Sequence, residues 1–420
     1  MSTSTTALMV VGIILVLGYF LLRFNSLWIY KSFDRALRND TNSLSLPYQV
    51  PRYFVSNPDG QVETSIRWPG WDGWYFFMLP EDKGFPLEMI RASLMTGLYG
   101  LDGTDNYEKL LRVGLSSEKA VEYLTLISTR ERLNGETKKV SRLSQHYLAK
   151  ATDLVMRAKP LDVSIATGAV HGKEMTGLYG RMSGEWPHYT FQFMNPEVGL
   201  RCTLRFQGDR IVWWADVPNI FTYFAAFGTY EGEVIYQKEA GQEETSGPPA
   251  PEEVSNIKGR GGFEHGFARK PFNFDGLWLP IKWLKKIIPA WNPIRYHYEL
   301  FVGDDNCQGG FMYARGFGID FRNRGGFHLN GIYKPINRVT IDYLDHPAPD
   351  IVESSGQPEK FYRSWRVKAE TDEGFLEYTG TREWPPACIT GNMMYYNFSY
   401  EGTYLKQRIS GRGYGEYLHM

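Results

Sequence analysis

Polar and apolar residues alternate through most of the chain beyond Pro160, as in Thr190-Phe191-Gln192-Phe193-Met194 and Arg201-Cys202-Thr203-Leu204-Arg205-Phe206. Successive strand side chains point to opposite faces, so this period of two predicts an all-β region running almost to the C-terminus. Between Pro86 and Ala158 the pattern changes. Ser117, Ala120, Leu124 and Ile127, then Leu143, Tyr147, Ala151 and Leu154, recur at helical spacing and predict a helical insertion. Upstream, Trp68-Pro69-Gly70-Trp71-Asp72-Gly73-Trp74-Tyr75-Phe76-Phe77 reads as turns leading into an aromatic strand. From Ala7 to Leu22 no residue is charged, and apolar character resumes at Leu27 to Tyr30. A helix over that span is long enough to cross a bilayer, with Arg23 snorkelling and Trp28 and Tyr30 at the interface. A cleaved signal peptide fits less well, because no basic residue precedes the run and no small-x-small site closes it. Arg23, Lys31, Arg35 and Arg38 all follow the run, which places the bulk of a single-pass chain in the cytoplasm.

The β region repeats itself. Tyr230-Glu231-Gly232 is followed by Gly259-Arg260-Gly261 and Glu264, and Tyr400-Glu401-Gly402 by Gly411-Arg412-Gly413 and Glu416. Glu185-Trp186-Pro187 and Glu383-Trp384-Pro385 lie upstream in each half. Three matches in one order argue for two related modules. The segment Gln237 to Lys258 between the first pair, rich in Glu, Pro and Gly, reads as an exposed loop. Antiparallel sheets of this size most simply close into barrels, which removes their edges. The expected organisation is a transmembrane anchor over 1–30, an aromatic strand with a helical subdomain over 31–160, and β-barrel modules over 161–270 and 271–420.

Composition narrows the function. Lys and Arg number 46 against 47 acidic residues, so the broad positive field of a nucleic-acid binder is missing. Three dispersed cysteines, Cys202, Cys307 and Cys388, form neither a metal motif nor a disulfide framework. There is no Walker loop, HExxH, GxSxG or strand-then-helix GxGxxG, and no cofactor or metal is expected. The sharpest constellation is Gly259-Arg260-Gly261-Gly262-Phe263-Glu264-His265-Gly266-Phe267. Glu264 and His265 can both exchange protons near neutral pH, and the glycines admit a ligand close to the backbone. Side by side on a strand they face one cavity only if a bulge intervenes; otherwise Glu264 is a barrel-corner residue, as Glu416 is in the second copy. Arg295, His297 and Glu299 share one face of the next strand, with Tyr296, Tyr298 and Leu300 on the other. A hairpin leads on to Tyr313 and Arg315. The segment Leu277 to Trp291 carries Trp278, Trp283, Lys285 and Lys286, the composition of a stretch lying in a membrane interface and meeting lipid.

These strings, with Tyr296 to Asp305, Phe311 to Arg315 and Gly411 to Glu416, resemble the lipocalin-like carotenoid 1,2-hydratase (hydroxyneurosporene synthase) family, and the fungal lipocalin-like Diels-Alderases are similar in architecture. The resemblance implies a mainly β chain of two tandem lipocalin-like antiparallel barrels working without a cofactor on a hydrophobic isoprenoid or polyketide-like substrate. The family's acid-His-x-Trp motif falls on Glu264, His265, Gly266 and Phe267, with Glu for Asp and Phe for Trp. The implied chemistry is acid-assisted hydration or cyclisation, with Glu264 or His265 as the acid and Tyr296 and Tyr313 as polarising neighbours. Phe267, His297, Glu299 and Arg315 are the candidate substrate-binding residues. Two rival classes fit the same anchor and aromatics: a non-catalytic lipid carrier at the membrane, and a scaffold for membrane-bound enzymes.

Overall fold

A computed structural model of the 420-residue chain describes residues 12–13, 16–18, 55–56, 62–63, 70–82, 85–96, 120–133, 136–149, 155–157, 161–166, 177–217, 221–236, 254–269, 294–303, 307–316, 319–345, 348–352, 358–389 and 393–419. The strands are β1 (Val55–Ser56), β2 (Val62–Glu63), β3 (Gly70–Pro80), β4 (Leu87–Thr96), β5 (Ala120–Leu133), β6 (Glu136–Ala149), β7 (Val155–Arg157), β8 (Leu161–Ala166), β9 (Tyr179–Glu185), β10 (His188–Asn195), β11 (Leu200–Val217), β12 (Phe221–Tyr236) and β13 (Val254–Arg269). They continue with β14 (Ile294–Gly303), β15 (Cys307–Gly316), β16 (Ile319–Leu329), β17 (Ile332–Ile336), β18 (Arg338–Tyr343), β19 (Ala348–Val352), β20 (Pro358–Phe361), β21 (Ser364–Glu370), β22 (Phe375–Arg382), β23 (Ala387–Ile389), β24 (Met393–Tyr404) and β25 (Gln407–His419).

Two large antiparallel sheets result. The first runs β6-β5-β4-β3-β13-β12-β11-β10-β9-β8-β7 and the second β17-β16-β15-β14-β25-β24-β22-β21-β18, with β23 beside β24. In each, the last strand pairs both with its predecessor and with the sheet's first long strand: β13 with β12 and β3, β25 with β24 and β14. The repeated Tyr-Glu-Gly and Gly-Arg-Gly strings occupy these equivalent strands, so the internal repeat is a repeat of topology.

Each sheet curls around its own core. Phe76 of β3 stacks on Phe191 of β10 at 4.8 Å, and the Tyr123 hydroxyl of β5 donates to the carbonyls of Tyr179 and Met194 at 3.1 and 3.0 Å. Strands far apart in the ladder order can meet this way only if the sheet wraps round. In the second sheet the Asn323 side chain of β16 accepts from the Val339 amide of β18 at 2.5 Å, drawing the far edge inward. A further apolar cluster joins the two bodies: Phe77, Leu79, Met89, Leu124, Leu126 and Phe227 of the first pack with Tyr298, Leu300 and Tyr414 of the second.

The helical block expected between Pro86 and Ala158 is overturned: its described residues form β4, β5, β6 and β7 of the first sheet. The cause is burial on both faces. Ile90, Leu94, Val121, Tyr123 and Ile127 fill the first barrel, while Met89, Leu124 and Leu126 face the second, so apolar residues occupy both parities and the alternation is lost. Most of the proposed N-terminal anchor lies outside the described residues; residues 12–13 and 16–18 are helical, with Ile13, Val16 and Leu17 exposed. No helix among the described residues is long and apolar enough to cross a membrane.

Candidate functional site in the seam between the barrels

Strand β13 runs in unbroken register against β12 and β3, with Glu264 opposite Ala225 and Tyr75, and His265 opposite Phe224 and Trp74. No bulge intervenes, so Glu264 and His265 point to opposite sides of the sheet and do not form one acid-imidazole corner. His265 is buried in the first barrel, stacked on Trp74 at 5.0 Å with the rings 7° apart. Glu264 faces the second barrel, where the Tyr298 hydroxyl donates to its Oε2 at 2.6 Å.

The glycines beside them serve the chain's own rings. A Cβ on Gly262 would fall 2.6 Å from the Phe77 ring, and one on Gly413 2.4 Å from that of Phe398.

Around Glu264 the seam gathers an unusual density of ionisable groups. Arg91 of β4, only 2% exposed, reaches across to Glu416 of β25, with Nη2 3.3 Å from Oε1. Its guanidinium lies over the rings of Tyr395 at 4.2 Å, Tyr414 at 5.1 Å and Tyr75 at 5.6 Å. Glu416 also accepts from the hydroxyls of Tyr414 at 2.6 Å and Tyr296 at 3.3 Å. Tyr298 and Glu416 are cross-strand partners, so the Glu of each repeat copy arrives at the same place from its own sheet. On the same side of the first sheet, Glu122 of β5 accepts from Gln145 at 2.9 Å. Tyr75, Gln145, Tyr296 and Glu416 are only half-buried, so the cluster has an edge open to the outside.

The electrostatics follow from this burial. Loss of water raises the Glu122 carboxyl above its ordinary value of 4.5, against the opposing pull of Gln145, Arg91 and Tyr147. The group therefore keeps its proton to a higher pH than an exposed glutamate. Burial likewise pushes the phenols of Tyr75, Tyr395 and Tyr414 upward, keeping them protonated donors. For Arg91, burial lowers the value, but Tyr414, Tyr395, Glu416 and Glu264 more than reverse this, and it stays charged. The seam thus combines a proton-holding acid, a carboxylate acceptor, a fixed cation and several phenols.

The remaining sequence candidates are spread elsewhere. His297 and Glu299 face the interior of the second barrel, with Nε2 2.6 Å from Oε1. Tyr396 lies 2.8 Å from that nitrogen, Tyr343 lies 3.2 Å from Nδ1, and Tyr378 donates to Glu299. Tyr313 is opposite His297 on β15, and Arg315 is exposed. The side chain of Phe267 lies outside the described residues, as do Trp278, Trp283, Lys285 and Lys286. Two surface clefts of about 430 and 500 Å³ lie against Arg205, Glu231 and Lys258 and have none of these groups in their walls. Of the catalytic candidates, only Glu264 and Tyr296 reach the seam. Arg91, Glu122 and Tyr75 join them without having been singled out, because two of them sit on strands whose double-sided burial imitates a helix.

No family model matches the chain, and no curated protein matches it. Among solved structures the fold is similar to that of a Nitrosomonas europaea protein assigned as an AttH, at 10% identity and a TM-score of 0.52, covering 88% of this chain and 97% of that one. CghA with Sch210972 aligns at 10% identity and a TM-score of 0.49 over 84% of this chain and 89% of that one. Kievitone hydratase from Nectria haematococca aligns at 8% identity and 0.45 over 88% and 96%. None of these likenesses singles out a carotenoid hydratase. The AttH likeness is one of fold, and it spans nearly the whole of both chains: the protein has the architecture of two tandem lipocalin-like β modules.

Proposed function

We propose that the protein is an enzyme that hydrates or cyclises a hydrophobic substrate by acid–base chemistry in the seam between its two lipocalin-like modules. One observation carries this reading: Arg91, Glu122, Glu264 and Glu416 converge from both sheets into one largely buried, tyrosine-walled cluster. Buried carboxyls without a task are disfavoured, and perturbed acids facing aromatic walls are the usual apparatus of proton transfer. That the neighbours by fold include a hydratase is in keeping with it.

In this reading Glu122 donates a proton to a carbon of the substrate's double bond. Glu264, oriented by Tyr298, takes a proton from the attacking water, or from an internal hydroxyl in a cyclisation. Proton exchange with solvent then resets both carboxyls, and no electron carrier is needed. The tyrosine rings hold the apolar body of the substrate and exclude bulk water.

The test is comparative mass spectrometry of lipid extracts from cells producing the wild type, Glu122→Gln, Glu264→Gln or His265→Phe. Hydration appears as a product heavier by one water, cyclisation as an isomer of altered retention. Each Gln variant is expected to lose at least about a hundredfold in product, the usual worth of a general acid or base, while His265→Phe, altered on the opposite face, retains it. Full product from both Gln variants would end this reading. The same lipid travelling unchanged with every variant would favour a carrier instead.

A further inference from the structure

Of the two carboxyl oxygens of Glu122, the neighbouring strand engages one. Tyr147 of β6 is paired directly with Glu122 of β5, and Gln145, two positions away, shares its face. Gln145 Nε2 donates to Glu122 Oε2 at 2.9 Å and to the Tyr147 hydroxyl at 3.0 Å. The Tyr147 hydroxyl is itself hydrogen-bonded to the carboxyl, so the three side chains close a ring. An amide nitrogen donates and never accepts, so Oε2 stays bare of a proton while Gln145 faces it. We infer that Gln145 is a positioning residue for the acid: tethered on Tyr147, it confines the proton that Glu122 delivers to Oε1 and holds the carboxylate left behind. The inference rests on Glu122 being the acid of the seam.

Burial alone would serve an acid badly, because it favours the neutral form and so retains the proton. A donor fixed on the carboxyl favours the charged form, and Gln145 is the largest influence opposing burial at Glu122, ahead of Arg91 and Tyr147. When the Oε1–H bond breaks and a C–H bond forms on the substrate, the amide N–H already lies on Oε2. The new charge then needs no rearrangement to be met. The other groups facing Glu122 do not duplicate this. Arg91 of β4 is shared with Glu416 of β25 and Glu264 of β13, while burial keeps the phenols of Tyr75 on β3 and Tyr395 on β24 protonated. Glu122 is only 5% exposed, whereas Gln145 is half-buried at the open edge, so a change at Gln145 reaches the acid without cutting into either barrel's core.

The carbonyl stretch of protonated Glu122, identified by its loss in Glu122→Gln, is followed by infrared difference spectroscopy of the full chain as pH is raised. Gln145→Met, similar in length but without the donor, should move the midpoint of that titration upward by about one pH unit, the scale of one hydrogen bond to a charged group. Tyr147→Phe, which releases the tether, should move it the same way by less. In lipid extracts, Gln145→Met should give about tenfold less product than wild type, because the proton is no longer held to one oxygen. A midpoint that is unchanged or lower, or undiminished product, in Gln145→Met overturns the inference; a fall means that the amide presents its oxygen to the acid's own proton. If that variant does not fold, Tyr147→Phe is judged by the same criteria. Full product from Glu122→Gln beside a raised midpoint in Gln145→Met would remove the acid assignment and leave the hold of Gln145 on the carboxyl standing.

Discussion

Glu122 illustrates how a single buried carboxyl couples stability to pH. Its carboxyl is raised above 4.5 by burial, so the folded state favours the protonated form. The sign follows from linkage: folding is unopposed by this group below 4.5 and increasingly opposed as pH rises from there to the raised value. Glu122→Gln keeps an acceptor for Gln145 but cannot ionise. It should therefore raise the urea midpoint relative to wild type at neutral pH, with the gain vanishing below about pH 4.5, the ordinary carboxyl value. A gain that persists at low pH would show that ionisation of Glu122 is not its source. The Glu-His pair makes the complementary point. Period two already dictated that neighbours on a strand diverge, and only the glycines left room for an exception. The packing of Phe77 on Gly262 shows what those glycines are for.

Among the elements, the first barrel is lashed shut by a polar clasp. Glu131 of β5 accepts from Arg142 of β6 through two bonds of 2.9 Å, from Thr129 at 2.8 Å and from the Tyr236 hydroxyl of β12 at 2.8 Å. The Arg142 hydrogen bond is the largest influence holding this carboxyl at about 2, well below its ordinary range. A depressed acid contributes stability that is present above 4.5 and is lost as pH falls toward about 2. Tyr236→Phe should cost about 1.5–3 kcal/mol at pH 7, the usual worth of a hydrogen bond to a charged group. That cost should shrink across the same acid window when measured by urea denaturation. A cost independent of pH would mean that the tyrosine acts through packing alone. The clasp was not legible in advance, because Glu131 and Arg142 lie on paired strands within the stretch that reads as helical, and Tyr236 reaches them from β12 only through the curling of the sheet.

At the scale of the molecule, the two barrels share one apolar seam and are expected to unfold together. Phe77 of β3 stacks on Tyr414 of β25 at 5.7 Å, and the Arg412 guanidinium donates to the Pro80 carbonyl at 2.5 Å. Phe77→Ala should cost about 3–5 kcal/mol by leaving a cavity. Hydrogen exchange should then rise in β14 and β25 as well as in β3 and β13. Loss of protection confined to the first barrel would show that the halves fold independently. The same packing leaves the seam as the place where buried ionisable groups gather between the modules, since the first barrel's interior is filled by its own aromatics, as at Phe76, Phe191 and Phe206.

What the sequence determined by itself is everything that depends on local periodicity and internal comparison. The β character beyond Pro160 follows from strands with one distinctive face. The twin modules follow from matched Tyr-Glu-Gly and Gly-Arg-Gly strings, and the opposed faces of His297 and Tyr298 from simple alternation. Tertiary structure alone decided the rest. Strands β4 and β5 bury both faces, so their alternation cannot be seen until the second barrel lies against the first. Glu264 and Glu416 are 152 positions apart and meet around Tyr298 and Arg91 only because the two sheets dock face to face. A site built across an interface has no spacing of its own along the chain, since the contacts that create it are set by packing and not by sequence separation.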